Sequence, residues 1–218
     1  KAEDLIRNNK VFVNEKLAKL GDRVDENDEV KINNLPGRQA GKLVKPDYTK
    51  KIYIKLNKPI GYTCTNREFR DEKNIFSLIN LKEKLFVAGR LDKNSKGLVI
   101  VTNDGDYMQE LTHPSNDHEK KYLVRINLPT QEKREISQNI INKFKAGIDI
   151  GEEDGIVMAK RAKYLNNNEF EIVLTTGKKR QIRRMFGALN YHVTNLKRIQ
   201  ISNIKLGALP EGKWEYIN

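Results

Sequence analysis

Asp92 stands in the run Gly89-Arg90-Leu91-Asp92-Lys93-Asn94-Ser95-Lys96-Gly97, with Arg90, Lys93 and Lys96 as its cationic neighbours. A carboxylate in such a field can act as nucleophile or base, and the same cations draw phosphate toward it. Spacing alone fits at least as well an aspartate that merely closes a turn through the local backbone. Asp92-x-Asn94 also begins like an EF-hand loop, but Lys96 falls on a ligand position and Asn103 stands where the bidentate glutamate belongs. Calcium is therefore excluded.

A second constellation runs from Thr175 to Phe186 and carries Lys178, Lys179, Arg180, Arg183 and Arg184. For a helix starting at Lys179, about 100° per residue puts Ile182, Met185, Phe186 and Leu189 on one face. Arg180 and Arg184 lie opposite, as phosphate contacts at solvent. Arg183 is angled toward the packed side, where an arginine normally needs a carboxylate partner. A solvated basic face is the plainer alternative, and alone the motif implies nucleic-acid binding without chemistry. In a third stretch, Lys120-Lys121-Tyr122, a strand alternating Tyr122, Val124 and Ile126 could offer an aromatic ring to a base or bury it in a core. His113, His118 and His192 show no metal-ligand spacing, and no glycine loop of phosphate-binding type is present. The residues imply no metal and no nucleotide cofactor.

These groups need a scaffold, and the hydrophobic pattern supplies one. Strand-like runs occur at Ile52 to Leu56, Leu85 to Ala88, Leu98 to Thr102, Lys121 to Ile126, Phe170 to Thr175 and Val193 to Ile204. Helical patterns fall at Asn74 to Ile79, Asp106 to Thr112, Glu132 to Ala146 and Lys179 to Asn190. Their irregular alternation predicts an α+β fold on a mixed or antiparallel sheet flanked by helices, with Asp92 in a loop between two strands. Ahead of this lies a smaller unit: a helix over Ala2 to Asn9, a strand Val11 to Val13 turning through Asn14-Glu15, and a strand Asp28 to Ile32. It is too small to bury a core alone. The Pro- and Gly-containing run from Leu35 to Lys42 puts a boundary near residues 35 to 51.

With 41 Lys+Arg against 29 Asp+Glu in 218 residues, the formal net charge is +12, which favours a polyanionic partner. No apolar run approaches the ~20 residues of a bilayer span and no signal-peptide pattern opens the chain, so nucleic acid is a better partner than membrane. The only cysteine, Cys64, excludes an intramolecular disulfide framework, and a reducing, cytoplasmic setting is the default. Lys1 and an uncapped opening helix point to an N-terminal segment missing from the sequence.

Together and in order, the three stretches resemble the RsuA and RluB/E/F group of ribosomal RNA pseudouridine synthases. Gly89-Arg90-Leu91-Asp92 followed by Gly97-Leu98 is similar to that family's catalytic motif, Lys121-Tyr122 to its tyrosine motif, and Gln181-Ile182-Arg183-Arg184 to its arginine motif. Asn116 to Tyr122 is closest to the RluF-like branch, which acts on large-subunit ribosomal RNA. Ala2 to Lys16, with Asp22-Arg23-Val24 and Asp28-Glu29-Val30, resembles an S4 RNA-binding domain lacking its first helix. The resemblance implies an S4-like domain over residues 1–40, a linker over 41–51 and a pseudouridine synthase domain over 52–218. It implies a cofactor-free reaction that breaks the uridine C1′–N1 bond and rejoins the uracil through C5. Asp92 would be the invariant carboxylate, Tyr122 would stack on the extruded base, and Arg183 would pair with Asp92. RNA contacts are expected from Arg90, Lys93, Lys96, Lys121, Lys179, Arg180 and Arg184, with Leu196 packing beneath the base. The expected protein is a cytoplasmic monomer acting on a structured stem-loop of ribosomal RNA. One rival is a non-catalytic S4-containing RNA-binding protein of ribosome assembly. Another is a nuclease or N-glycosylase using Asp92 as base for water.

Overall fold

The computed structural model describes residues 2–25, 27–33, 42–44, 50–66, 71–128 and 133–217. The chain divides into two compact units, Lys1–Lys51 and Ile52–Asn218.

In the first unit, helix α1 (Ala2–Arg7) precedes strands β1 (Val11–Val13), β2 (Lys16–Leu17), β3 (Val30–Ile32) and β4 (Lys42–Val44). They form an antiparallel sheet in the order β2-β1-β3-β4. The helix ends sooner than the sequence pattern suggests, because Asn9 takes a left-handed φ of 56°, the conformation that stops helices. Asn14 and Glu15 turn β1 into β2 with φ of 48° and 65°, both positive as a two-residue hairpin of matching twist requires. The Asn14 side chain fastens this turn to the strand beyond it, donating to Asp28 and accepting from the Glu29 amide at 2.8 Å. Ala18 is the only buried residue of this unit among the described ones. Part of the expected 41–51 linker is strand: β4 pairs with β3, whose backbone would otherwise present an open edge. Pro36 and Gly37 lie outside the described residues.

The second unit is built on a nine-stranded sheet, so the α+β expectation on a mixed sheet holds. Its strands are β5 (Tyr53–Lys58), β6 (Phe86–Ala88), β7 (Lys96–Thr102), β8 (Lys120–Ile126), β11 (Arg161–Tyr164), β12 (Glu169–Leu174), β13 (Val193–Ile201), β14 (Ile204–Lys205) and β15 (Trp214–Tyr216). The path runs β11-β12-β8-β13-β7-β5-β15, with β14 on β13 and β6 on β7. Among the described strands only β13 and β7 pair in parallel, with Lys197 opposite Lys96 and Arg198 opposite Gly97. A separate hairpin, β9 (Ile148–Asp149) and β10 (Ile156–Val157), follows helix α3 (Lys133–Ala146).

Strand β7 shows why the layers form. Alternation sends Val99 and Val101 into the larger core, with residues of α3 and of helix α4 (Gln181–Gly187), whereas Leu98 and Ile100 join a smaller one with Leu111 of helix α2 (Gly105–Thr112). A strand covered on both faces needs the continuous apolar run that the sequence displays. Phe144 of α3, Phe186 of α4 and Phe170 of β12 meet edge to face at centroid distances of 4.8 and 5.5 Å, which fastens both helices to the sheet.

Three of the expected elements of this second unit take a different form. The expected helix over Asn74 to Ile79 is a single tight turn, Ile75–Leu78, capped by the Asn74 side chain. Helix α4 starts at Gln181 rather than Lys179, because Arg180 is left-handed with φ of 52°. The run from Val193 to Ile204 is two strands, reversed at Ser202, whose φ is 51°. Among the described residues no helix is long and apolar enough to cross a membrane.

Candidate active site

The Asp92 loop joins β6 to β7, and both its ends are glycines with positive φ, 80° at Gly89 and 104° at Gly97. At Gly97 a β-carbon would lie 2.2 Å from the Arg198 carbonyl oxygen, so only glycine lets β13 come this close.

Three cations hold the loop by its backbone. Lys58, fully buried at the end of β5, donates from Nζ to Ser95 O at 2.6 Å, to Pro59 O at 2.9 Å and more distantly to Lys93 O. Arg198, 2 % exposed, donates Nε to Leu98 O at 2.8 Å and its terminal nitrogens to Arg90 O and Gly89 O. Arg183 of α4 donates one terminal nitrogen to Asn94 O at 2.8 Å and the other to Val193 O at 2.9 Å. Burial holds the Lys58 ammonium below the usual lysine range, and the fields of Cys64 and Asp92 oppose it. Burial likewise lowers Arg183, reinforced by Arg180 and opposed by Asp92.

The expected Asp92 to Arg183 ion pair is not formed. The two terminal nitrogens of the guanidinium go to the two carbonyls, its buried Nε is left without a partner among the described residues, and Asp92 reaches it only through its field. The physical reason is position: Arg183 leaves α4 beside the far limb of the loop, where the Asn94 carbonyl is within reach.

Beside the loop lies an apolar wall. Leu91, Tyr122, Leu196 and Cys64 belong to the larger core cluster, with Tyr122 8 % and Leu196 5 % exposed. Strand β8 alternates as its sequence suggests: Tyr122, Val124 and Ile126 are buried and Arg125 is exposed. Register then places Tyr122 opposite Arg198 and Val124 opposite Leu196.

The expected RNA contacts separate into two kinds. Lys93 pairs with Glu72 at 3.0 Å, Lys96 with Glu211 at 3.5 Å and Lys121 with Glu171 at 3.6 Å. Lys121 also alternates with Tyr122 along β8, so the two occupy opposite faces of the sheet. Arg184, expected at solvent, instead donates to Asp154 at 2.6 Å, to Ile150 O at 3.0 Å and to Gly151 O at 2.6 Å. The segment linking β9 to β10 covers that side of α4 and supplies all three acceptors, which a helical wheel could not reveal. Arg90, Lys179 and Arg180 are exposed.

Four groups have positioning roles that the sequence pattern does not assign. Beyond Lys58 and Arg198, buried Gln181 accepts from the Thr176 hydroxyl at 2.9 Å and the Lys178 amide at 3.0 Å, shaping the turn before α4. Lys120 ties the same turn to β8, donating to Thr175 O at 3.0 Å and His118 O at 3.1 Å. A signal for two of them existed. Lys58 follows Ile54 and Leu56, and Arg198 follows Leu196, at the two-residue spacing of an inward strand face. A cation at such a position demands acceptors. Among the described residues no group of His, Cys, Asp and Glu is arranged to hold a metal.

A mixed sheet that presents a carboxylate loop beside a buried tyrosine and an arginine helix is suited to an enzyme acting on a nucleic-acid base. Residues 52–188 match the family described as RNA pseudouridylate synthase, and the chain belongs to that family. It is 37 % identical over 215 residues to the dual-specificity RNA pseudouridine synthase RluF of Salmonella typhi, covering 98 % of this chain and 68 % of that protein. An RNA pseudouridine synthase of Borreliella burgdorferi is 35 % identical over 213 residues, covering 97 % and 81 %. A crystal structure of a pseudouridylate synthase superposes with a TM-score of 0.70 at 28 % identity, covering all of this chain and 89 % of the other. The RluF-like resemblance is thereby supported, and the enzyme reading prevails over the non-catalytic binder.

Proposed function

We propose that the enzyme isomerises a uridine of ribosomal RNA, in the large subunit as in the RluF-like branch, with Asp92 as its catalytic carboxylate. The C1′–N1 bond breaks, the uracil turns, C5 bonds to C1′, the C5 proton leaves to solvent and N1 takes up a proton. Tyr122 stacks on the extruded base, Leu196 packs beneath it, and Arg183 serves Asp92 by holding the Asn94 carbonyl. Arg90, Lys179 and Arg180 contact phosphate, while Lys93, Lys96, Lys121 and Arg184 would first have to leave carboxylates. Residues 1–40 act as an S4-like RNA-binding domain ahead of the catalytic domain of residues 52–218, in a cytoplasmic monomer. Extracting a base costs a few kcal/mol and is cheapest in loops and bulges, which favours a structured stem-loop as substrate.

The observation that carries this reading is the convergence of buried Lys58 and Arg198 and half-buried Arg183 on the backbone of one loop whose carboxylate is Asp92. Such rigidity is costly for a mere turn and useful for a reacting group. Asp92→Asn is expected to keep affinity for ribosomal RNA transcripts within about twofold while abolishing tritium release from C5-labelled uridine. Retained release ends the assignment of Asp92. Mapping pseudouridine in ribosomal RNA from cells with and without the gene tests the substrate: identical maps rule ribosomal RNA out.

A further inference from the structure

We propose that Arg198 is a positioning residue for the reaction, fixing both ends of the Gly89–Gly97 loop at once and so setting where the Asp92 carboxylate stands. The proposal rests on Asp92 being the catalytic group.

Arg198 occupies a junction in the sheet. It lies opposite Gly97 of β7 on one side and opposite Tyr122 of β8 on the other. Its guanidinium bonds to Gly89 O and Arg90 O where the chain enters the loop, and to Leu98 O where the chain leaves it. A buried arginine is ordinarily neutralised by a carboxylate. Arg198 has carbonyls instead, and no carboxylate partner among the described residues. Its positive charge is felt by both neighbouring half-buried or buried lysines, Lys58 and Lys120, where it adds to the lowering caused first by burial.

Geometry makes this group a ruler. The guanidinium is planar with donors in a fixed fork, so carbonyls bound to it are held at set separations. The Gly97 end permits the approach, since a β-carbon there would strike the Arg198 backbone; at Gly89 one would stand in ordinary contact with the guanidinium at 3.8 Å, and glycine is favoured there by its φ of 80°. Lys58 and Arg183 grip Lys93, Asn94 and Ser95 on the far limb. Arg198 grips the near limb at Gly89 and Arg90, the Leu91 backbone beyond them meets the Cys64 thiol, and Asp92 lies between the two grips. Because Tyr122 is the cross-strand neighbour of Arg198, one residue also sets the loop relative to the ring.

The full chain is tested with C5-tritiated ribosomal RNA transcripts under single-turnover conditions at saturating enzyme, with RNA affinity measured separately. Arg198→Met is expected to lower the rate about 100-fold, the scale of an ångström's misplacement, with affinity changed less than about twofold. Arg198→Lys keeps the charge but not the fork and is expected to fall between, about tenfold down. Amide exchange across residues 90–95 should quicken in both. A wild-type rate in either folded variant overturns the proposal, and so does an affinity loss as large as the rate loss, which marks a purely structural residue. Should Arg198→Met not fold, Arg198→Lys decides by the same rate. Asp92→Asn run alongside separates the two claims. If it retains turnover, the reading of Asp92 fails; if it is inactive while Arg198→Met turns over normally, only the positioning role fails.

Discussion

The catalytic unit neutralises its cations in two ways. Around the Asp92 loop, Lys58, Arg183 and Arg198 meet backbone carbonyls. Around the rim, Lys93, Lys96, Lys121 and Arg184 meet Glu72, Glu211, Glu171 and Asp154. A carbonyl dipole orients a cation without cancelling its charge, whereas a carboxylate cancels it. Lys58 and Arg183 thus keep a charge that interacts with Asp92, and the rim cations can serve phosphate only by giving up a partner.

The largest break in this contrast would come from Arg183. Arg183→Met removes the donors to Asn94 O and Val193 O and is expected to cost about 100-fold in single-turnover rate at saturating RNA, with affinity little changed. An undiminished rate would place this group on a par with the rim. Lys58→Met should act mainly on stability. Ser95 O would be left buried without its donor, a loss of about 1–3 kcal/mol that the relief of ammonium burial only partly offsets. A net loss near 2 kcal/mol lowers Tm by roughly 4–8 °C. A variant as stable as wild type would mean that the ammonium costs as much to bury as its bonds return.

Arg180 and Arg184 sharpen the rim side. The helical wheel makes them equivalent, and the structure separates them: Arg180 is exposed ahead of α4, Arg184 is tied to the β9–β10 connection. Arg180→Ala is expected to reduce the slope of log affinity against log salt by about 0.7–0.9, one phosphate contact. Arg184→Ala should leave the slope near wild type and lower thermal stability instead. Equal slopes for the two variants would restore their equivalence.

What the sequence made legible follows from how local each cause is. Tyr122 could be placed because its strand alternates and its neighbours Val124 and Ile126 mark the buried face. Asp92 could be found because its loop glycines and cations are contiguous. Arg183 pointed inward as its helical angle required, but its partner depends on where a loop from another strand passes, and no spacing encodes that. Arg184 was misjudged for the same reason: Asp154 lies 30 residues upstream on a hairpin. The start of α4 escaped notice because Arg180 adopts a left-handed conformation rare for its type, held between a turn and the buried Gln181.

The smallest expected effect tests the rim through pH. Glu119, at the head of β8, accepts from Lys160 and Arg161 at the start of β11 across the intervening β12, and these bonds hold its carboxyl below the usual glutamate range. A carboxyl lowered on folding contributes stability that is fully present above its unfolded pKa of about 4.3 and is lost as pH falls through the folded value. Asp154 has the same sign, lowered chiefly by Arg184. Lys58, lowered as well, has the same sign in another window: its burial penalty eases only as pH rises toward the lysine range, so it does not change between neutrality and acid. Mild acid should therefore weaken the rim and leave the carbonyl-held loop intact. In thermal melts from neutral pH to about pH 3, Glu119→Gln should lie slightly below wild type near neutrality and converge with it in acid. Exposed pairs contribute little, so the gap is narrow. Curves that stay parallel through that range would show that the Glu119 bonds do not bear on stability, and the two ways of neutralising charge would no longer differ in their response to acid.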